Sequence, residues 1–276
     1  MTGAAGAVDQ LLAVVARRRG VDFRDHRRGV IERGIATRLK ASGLADLAEY
    51  AALVDRDNAE ADRLVEALVV PVSSFFRDPE VFEALETRVI PEQLARTAGP
   101  LRTWVVGAAT GEEAWSWALL LAWCRERHGG PPVDVLGSDV NGAALATARA
   151  GRYPAASTAE VAERFKKHFD GIAGHEVVMP EGIRRRVLFA QHDLMGPRLA
   201  PAEAILASFQ IVSFRNVLIY LNQRLRRKAL ERLGSVLKPE GVLVLGRVET
   251  LSPDLEGRFV PYPGTEPSLR IYRRVG

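Results

Sequence analysis

Cysteine, metal-binding spacings and long apolar runs are scarce in this sequence, and their scarcity excludes several classes of protein. Cys124 is the single cysteine among 276 residues, so the chain can form neither an internal disulfide framework nor a thiolate metal site. The five histidines show no zinc-type spacing, and we predict no metal site. The longest apolar run, Trp117 to Cys124, is far shorter than the roughly 20 residues that a membrane-spanning helix needs.

The first residues also differ from a signal peptide, because their apolar part precedes the cluster Arg17-Arg18-Arg19 instead of following a basic segment. We therefore expect a reduced, cytoplasmic location and no insertion into a membrane. The net charge of +4 and the isoelectric point near 9.4 are too mild to indicate nucleic acid as a partner. Hydrophobic residues at 47% and charged residues at 26% are ordinary for a globular protein.

Residues from about 8 to 90 show helical periodicity only. Ile31, Ile35 and Leu39 recur every four residues and form one apolar stripe, whereas Arg33 and Lys40 fall on the opposite face. We predict an all-α N-terminal domain over residues 1–90, with a linker near residues 70 to 100. The predicted helices are Val8–Arg18, Arg27–Ala41, Ala45–Leu53 (capped by Asp46), Asn58–Val69 (capped by Asp57 or Asn58) and Glu80–Ile90, with Phe23 to His26 as a connector and breaks at Pro71 and Pro91.

From residue 101 onward, predicted strands alternate with predicted helices, which is the pattern of a mainly parallel sheet. Residues 151–184 interrupt this alternation with glycines around a short strand-like segment, Glu176 to Met179, and we predict a small antiparallel hairpin there. The predicted strands are Arg102–Val106, Val133–Gly137, Arg186–Ala190, Phe209–Phe214, Val242–Gly246 and Leu269–Arg273, and the predicted helices are Glu112–His128, Asn141–Ala150 and Asn222–Leu237.

One stretch, Leu101 to Trp117, carries the first functional signal. A strand runs into the small-residue turn Gly107-Ala-Ala-Thr-Gly111, and a helix then opens with Glu112 and Glu113. Such a turn presents backbone N–H groups to a nucleotide-like ligand. Two carboxylates at the start of the helix would repel a pyrophosphate, so we predict a ligand with hydroxyl groups or positive charge. S-adenosylmethionine has a ribose, an ammonium and a sulfonium, and it has no phosphate.

Asp139 follows the second predicted strand at its carboxyl end, and open α/β sheets bind ligands at the carboxyl ends of their strands. An acid at this place typically accepts hydrogen bonds from ribose hydroxyls. The alternative is that Asp139 caps the helix that begins at Asn141.

Several motifs give the sequence a specific family resemblance. The chain resembles the chemotaxis receptor methyltransferases, the CheR-type protein-glutamate O-methyltransferases, with the motifs in family order from about residue 10 to the end. The matching motifs are Ser73-Ser-Phe-Phe-Arg-Asp78, Gly107-Ala-Ala-Thr-Gly-Glu-Glu113, Ser138-Asp-Val140, Gly151-Arg-Tyr153, Asp193-Leu194, Phe214-Arg-Asn-Val-Leu-Ile-Tyr-Leu221 and, less closely, Gly246-Arg-Val-Glu249.

The resemblance implies an α/β fold: a Rossmann-like class I methyltransferase domain over residues 101–276, with a small antiparallel β-subdomain at about 165–185 and the all-α domain in front. It also implies S-adenosylmethionine as cofactor and S-adenosylhomocysteine as product. Arg77 and Tyr220 are the implied catalytic residues, which would position the substrate carboxylate. The implied cofactor-binding residues are Ser73, Arg77, Gly107, Glu112 or Glu113 toward the cationic methionine end, Asp139 at the ribose, and Asp193, Leu194, Arg215 and Asn216.

The sequence departs from the family pattern at several positions. Many members have Asn at Pro71, Thr at Ser73, Tyr at Trp115, Asn at Asp193, an aromatic residue at Leu221, and His-Ser at Arg247-Val248. Serine keeps a hydroxyl and aspartate keeps an acceptor, so we expect cofactor binding to survive. The changes at Pro71 and at Arg247-Val248 bear more on the identity of the substrate.

The implied reaction is methylation of glutamate carboxylates, and its implied partner is the cytoplasmic helical region of a chemoreceptor or similar signalling protein. Arg33 and Lys40 suit an acidic receptor helix, although composition explains them equally well as solvated residues. We expect a monomer. Three alternatives stay open: a methyltransferase with another acceptor, a non-catalytic cofactor-binding regulator, and a nicotinamide-dependent dehydrogenase, which Glu112-Glu113 and the missing dinucleotide fingerprint disfavour.

Overall fold

The structure, a computed structural model, describes residues 2–69, 73–159, 161–166, 169–172, 175–204, 208–252 and 255–276. Pro71, one of the positions at which the sequence departs from the family pattern, lies outside these ranges. The helices are α1 (Thr2–Arg19), α2 (Arg28–Ser42), α3 (Leu47–Arg56), α4 (Asn58–Leu68), α5 (Pro79–Ala84), α6 (Ile90–Arg96), α7 (Glu112–His128), α8 (Gly142–Ala150), α9 (Glu163–Lys166), α10 (Glu181–Arg184) and α11 (Gln223–Val236). The strands are β1 (Leu101–Val106), β2 (Val133–Asp139), β3 (Arg152–Pro154), β4 (Asp170–Ile172), β5 (Glu176–Val178), β6 (Val187–Gln191), β7 (Phe209–Phe214), β8 (Leu237–Leu245), β9 (Phe259–Pro261) and β10 (Ile271–Arg274).

Helices α1 to α4 pack around a core of their own. Ile31 and Ile35 are buried in it, and Leu39 packs against it from the edge, which confirms the predicted stripe on α2. The predicted caps are also confirmed, because the Asp46 carboxylate accepts from the first turn of α3 and the Asp57 carboxylate from that of α4. Val140, beyond the end of β2, packs against this core and connects the helical region to the sheet.

The helix that follows Asp78 is longer than the predicted helix Glu80–Ile90. The prediction ended it at Ile90 because Pro91 cannot donate the next helical hydrogen bond. In the structure, five π-helical residues, Leu85–Val89, join α5 to α6, and the N–H of Ile90 bonds the carbonyl of Leu85, five residues back. This wider turn already departs from the four-residue bonding pattern, so Pro91 is accommodated in the first turn of α6.

Seven strands form one twisted sheet in the order β6-β2-β1-β7-β8-β10-β9. The pairs among β6, β2, β1, β7 and β8 are parallel, whereas β10 is antiparallel to both of its neighbours. Alternate residues face opposite sides: Val105 packs in the core that contains α7, and Trp104 packs in the core that contains α11. The prediction of a mainly parallel sheet is confirmed. Among the described residues, β9 is the strand of this sheet without a predicted counterpart, and β8 begins at Leu237 instead of the predicted Val242.

The strand order reverses between β1 and β7, which opens a crevice at the carboxyl ends of these two strands. The inserted segment is a three-stranded antiparallel sheet in the order β3-β5-β4, one strand larger than the predicted hairpin. It is tied to the glycine turn, because the Tyr153 hydroxyl donates to the Thr110 carbonyl at 2.7 Å. The family-implied fold is therefore present: a Rossmann-like domain, a small antiparallel sheet and an all-α region in front.

Candidate functional site

A cavity of about 440 Å³ lies at the carboxyl ends of β1, β2 and β7, and we call it the crevice. Residues at the strand ends of the sheet, in the linker and in the helical region line it together. Every predicted site residue except Glu112 lines it. The lining residues are Val21, Phe23, His26, Leu68, Val69, Ser73, Arg77, Val106, Gly107, Ala109, Glu113, Asp139, Val140, His192, Asp193, Leu194, Met195, Phe214, Arg215, Asn216, Val217, Ile219, Tyr220 and Leu221.

The glycine turn after β1 needs glycine at both ends. Gly107 and Gly111 have φ values of 75° and 98°, in the left-handed region that favours glycine. A Cβ at position 107 would lie 2.5 Å from Cγ2 of Val217, so the turn and the loop after β7 approach each other too closely for any side chain. The turn is held to β2, since the Gly107 and Ala108 N–H groups both donate to the Ser138 carbonyl.

Asp139 joins the turn to the end of β2. Its Oδ2 accepts from Ala109 N at 2.9 Å and its Oδ1 from Asn141 N at 2.8 Å. The helix cap is Asn141 itself, whose side chain accepts from Ala144 N, so the alternative role of Asp139 as the cap of α8 is wrong. Burial raises the pKa of Asp139, and its backbone hydrogen bonds act in the opposite direction. Each carboxylate oxygen keeps a lone pair for a hydroxyl donor in the crevice.

The two adjacent glutamates at the start of α7 have different surroundings. Glu113 lines the crevice, where its Oε1 accepts from Ser213 Oγ at 2.6 Å and its Oε2 from Arg215 at 3.3 Å. Glu112 is buried, does not line the crevice, and accepts from Thr110 Oγ1 at 2.6 Å. Burial raises the pKa of Glu112. The sequence did not determine whether Glu112 or Glu113 faces the cationic end of the ligand. This geometry favours Glu113.

The linker brings Ser73 and Arg77 to the crevice wall. Ser73 Oγ accepts from Glu113 N at 3.2 Å, and Arg77 Nε donates to Ser74 Oγ at 3.3 Å. Phe76 N donates to Ser116 Oγ at 2.9 Å, so the linker backbone is bonded directly to α7. These bonds place Ser73 and Arg77 beside the first turn of that helix.

Arg215 is the centre of the charge network, with 1% of its side chain exposed. Its guanidinium donates at 2.7 Å both to Asp78 Oδ2 and to the carbonyl of Arg77. It also pairs with Glu113 and lies 5.4 Å from the ring centre of Phe82. Arg215 thereby connects the end of β7, the linker and the start of α7.

Glu249 belongs to the motif Gly246-Arg-Val-Glu249 and had no predicted role, and the structure places its carboxylate beside Asn216 and Ile219, which line the crevice. The residue is buried, and its carboxylate accepts from Asn216 N, Gly246 N and Ile219 N. Burial raises the pKa of Glu249, while these backbone hydrogen bonds lower it. The motif position was the only sign of it in the sequence, because a buried glutamate in a loop has no periodicity.

We predicted that Phe23 to His26 only connect two helices, but Phe23 and His26 line the crevice. Their ring centres lie 4.9 Å apart, and burial lowers the pKa of His26. The next residue holds the opposite wall, since Arg27 N donates to the Tyr220 carbonyl at 3.0 Å. An ion pair between Asp25 and Arg224 reinforces this contact. The helical region therefore forms part of the site.

The far end of the crevice is formed by the segment after β6. Asp193 Oδ1 accepts from Met195 N at 2.8 Å, and burial raises the pKa of this carboxyl. Burial, aided by the nearby Arg232, lowers the pKa of His192 to about 4, so that imidazole is neutral at pH 7. Leu194 is buried beside them and adds an apolar surface.

Within the part of the chain that the structure describes, no group of three or more His, Cys, Asp or Glu side chains is placed to hold a metal ion. No helix there is long and apolar enough to cross a membrane.

Comparison with known proteins gives consistent matches along the chain. Residues 71–266 match the family model described as CheR methyltransferase, SAM binding domain, and residues 7–69 match CheR methyltransferase, all-alpha domain. The putative methyltransferase Cher3 of Pseudomonas putida is 30% identical over 96% of this chain and 95% of its own length. Chemotaxis protein methyltransferase 2 of Pseudomonas aeruginosa is 30% identical over 83% of this chain and 81% of its own length.

A third relative differs in size. An uncharacterized 104.1 kDa protein of Rhodobacter capsulatus is 31% identical over 90% of this chain, but the match spans only 26% of that protein.

Proposed function

Because the chain belongs to the CheR methyltransferase family, we propose that it methylates glutamate side chains of a chemoreceptor-like protein and forms methyl esters. One observation supports the proposal most strongly. Arg77 and Tyr220, which can hold a carboxylate, line the same crevice as the acids Glu113, Asp139 and Asp193, which suit the cofactor.

The residues of the crevice fit S-adenosylmethionine, the cofactor of this family. Three carboxylates line the crevice, and they favour an ammonium, a sulfonium or ribose hydroxyls over phosphates. The arginine that is most buried there, Arg215, is already paired with Asp78 and Glu113. When it is bound, the cofactor supplies an electrophilic methyl group on a sulfonium.

We assign the cofactor-binding residues by their place in the crevice. Glu113 would face the cationic methionine end, Asp139 the ribose, and Asp193 with Leu194 the adenine side. Gly107 and Asn216 would contribute backbone and amide groups, and Ser73 and Arg77 would close the site from the linker. Arg215 would act through Glu113 and Asp78.

The acceptor needs no general base. A glutamate side chain with a pKa of about 4.3 is already ionised at neutral pH. The enzyme must therefore align the carboxylate with the methyl group and keep water away from it. The Arg77 guanidinium and the Tyr220 hydroxyl would bind one carboxylate oxygen while the other attacks, and Phe23 and Leu221 on the crevice wall would exclude water.

The partner would dock on the helical region. Arg33 and Lys40 are exposed on α2, and their positive charge would attract an acidic receptor helix. Such a receptor exposes its helical region in the cytoplasm, so the proposed location is cytoplasmic.

The experiment that tests this function is transfer of radiolabelled methyl from S-adenosylmethionine to receptor fragments and to membranes of the source organism. The expected result is label on the receptor fragment that is released as methanol by mild base, which identifies a carboxyl ester. Label on another macromolecule would indicate a different acceptor. Binding of S-adenosylhomocysteine without transfer to either sample would indicate a regulator.

A further inference from the structure

Glu249 directs a buried carboxylate at one loop of the site without reaching the crevice itself. Only 3% of the surface of Glu249 is exposed. Oε2 accepts from Gly246 N at 2.7 Å and from Asn216 N at 3.0 Å, and Oε1 accepts from Ile219 N at 3.3 Å. Two of these three donors belong to the segment between Asn216 and Tyr220, which we call the Asn216 loop. Charge-assisted hydrogen bonds of this kind are stronger than neutral ones.

The Asn216 loop has little regular structure; apart from Glu249, the Arg226 side chain also holds it, by donating to the Leu218 carbonyl at 2.9 Å. Asn216 has a φ of 60°, in the left-handed region, and a single 3₁₀ turn, Leu218–Tyr220, follows it. Both Asn216 and Tyr220 line the crevice. A small rotation of this backbone would displace both side chains, so the position of the loop determines two of the proposed site residues together.

Gly246, the residue that directly follows β8, is adapted to the same contact. A Cβ at position 246 would lie 2.8 Å from Glu249 Oε2 and 2.9 Å from Asn216 N. Only glycine at this position lets the carboxylate and the loop meet. The far end of the loop is held separately, by the bond from Arg27 N to the Tyr220 carbonyl.

We propose that Glu249 is a positioning residue, whose ionised carboxylate holds the backbone of the Asn216 loop so that Asn216 and Tyr220 face the ligands. The part of this inference that concerns Tyr220 rests on the function proposed above. An amide cannot replace the carboxylate, because Gln has one acceptor oxygen and its NH₂ group would oppose the converging N–H donors.

A double-mutant cycle read by calorimetry with S-adenosylhomocysteine tests the inference without any acceptor. Glu249→Gln should weaken binding about tenfold, which corresponds to about 1.4 kcal/mol, and Asn216→Ala should also weaken it. The double variant should bind no more weakly than Asn216→Ala alone, because Glu249 acts through that residue. The matched control, Glu256→Gln, changes an exposed glutamate and should leave the affinity unchanged. Additive losses in the double variant would overturn the proposal.

Gly246→Ala provides a second route in case Glu249→Gln folds poorly. It keeps the charge and displaces the carboxylate, so it should weaken binding by a similar factor. Amide hydrogen exchange should show faster exchange at Asn216 and Ile219 in both variants. Unchanged affinity and unchanged exchange in either folded variant would refute the positioning role.

Methyl transfer separates this inference from the proposed function. Glu249→Gln should lower kcat for receptor fragments by much less in a Tyr220→Phe background than in the native protein. Equal losses in both backgrounds would remove Tyr220 from the proposal. If the native protein transfers no methyl group to the fragments, the proposed acceptor fails, and the calorimetric cycle still decides the role of Glu249.

Discussion

The Arg215 guanidinium donates to the Asp78 carboxylate at 2.7 Å, across a sequence separation of 137 residues. The same nitrogen donates to the carbonyl of Arg77, so the end of β7 fixes the backbone of the residue proposed to bind the acceptor. Asp78 has a φ of 57°, a left-handed conformation that this hydrogen bond helps to hold. The linker is thus bonded directly to the residue that follows the carboxyl end of the central strand β7.

Replacing Arg215 should therefore damage stability as well as activity. Arg215→Met would leave the Asp78 and Glu113 carboxylates partly buried without their cation, and breaking a buried pair in this way costs about 3–5 kcal/mol. Urea unfolding should show that loss. The matched control is Arg247→Met, which breaks the exposed pair with Glu80 and should cost less than about 1 kcal/mol. Similar losses in both variants would contradict the central role of Arg215.

Arg77→Ala should separate catalysis from cofactor binding. Loss of a charge-assisted hydrogen bond of about 1.5–3 kcal/mol predicts a fall in methyl transfer of roughly ten- to a hundredfold. Calorimetry with S-adenosylhomocysteine should show a much smaller change, and Arg77→Lys should recover part of the rate because it keeps the charge. Equal losses in affinity and turnover would exclude the orienting role.

Part of the crevice was predictable because its residues stand at the ends of periodic elements, whereas the other predicted site residues followed from the motifs of the family resemblance. The sequence placed Asp139 at a strand end and Glu113 at a helix start, and the sheet brings such ends together regardless of side-chain detail. The choice between Glu112 and Glu113 could not be made in that way, because a helix turns by about 100° per residue. Only the packing of the helix determines which of the two faces the crevice.

His26 and Glu249 could not be assigned from periodicity at all. Both lie in irregular segments, and each reaches the site through contacts between distant parts of the chain. A single antiparallel β-bridge pairs His26 with Leu221. A turn of the chain after β8 brings Glu249 to Asn216. The helix end at Pro91 was misplaced for a related reason, since a π-helical turn leaves no mark in hydrophobic spacing.

Gly107→Ala should impair both folding and cofactor binding. The added methyl group would meet Cγ2 of Val217 at 2.5 Å, and the left-handed backbone disfavours a side chain by about 1–3 kcal/mol. Urea unfolding and calorimetry with S-adenosylhomocysteine should both register the change. Gly29→Ala on α2, where the new methyl group meets no atom within 4 Å, is the control, and its stability should be unchanged or raised by less than about 1 kcal/mol. Normal affinity in Gly107→Ala would show that the turn tolerates displacement.

His192 should make stability fall between about pH 6.5 and pH 4. Burial lowers its pKa from 6.5 to about 4, so the unfolded chain binds a proton in this range that the folded protein does not. The stability that His192 contributes is complete above its ordinary pKa and is lost as the pH falls toward 4. The neighbouring Asp193 acts in the opposite direction, because burial raises its pKa and protonation then favours the folded state.

Two histidine variants separate the contribution of His192 to the pH dependence of stability from the contributions of other groups. Denaturant unfolding of His192→Asn should show a weaker loss of stability from pH 6.5 to pH 4 than the native protein, by at most about 1.4 kcal/mol per pH unit. His128→Asn, at an exposed position, should keep the native pH dependence. Parallel curves for His192→Asn and the native protein would show that the imidazole is protonated in the folded state.

Charge reversal on α2 tests the docking part of the proposed function. Arg33 is exposed on α2, and the Debye length of about 10 Å at 0.1 M salt limits its attraction to groups close to the interface. Arg33→Glu should weaken binding of an acidic receptor fragment about tenfold at low salt and should flatten its salt dependence. Affinity for S-adenosylhomocysteine should stay the same, because Arg33 does not line the crevice. Arg56→Glu at the exposed end of α3 provides the same change of charge on another helix.

If both reversals weaken receptor binding equally, the attraction reflects net charge and α2 has no special role. A selective effect of Arg33→Glu would instead place the receptor helix over α2, on the helical region that also supplies Phe23 and His26 to the crevice.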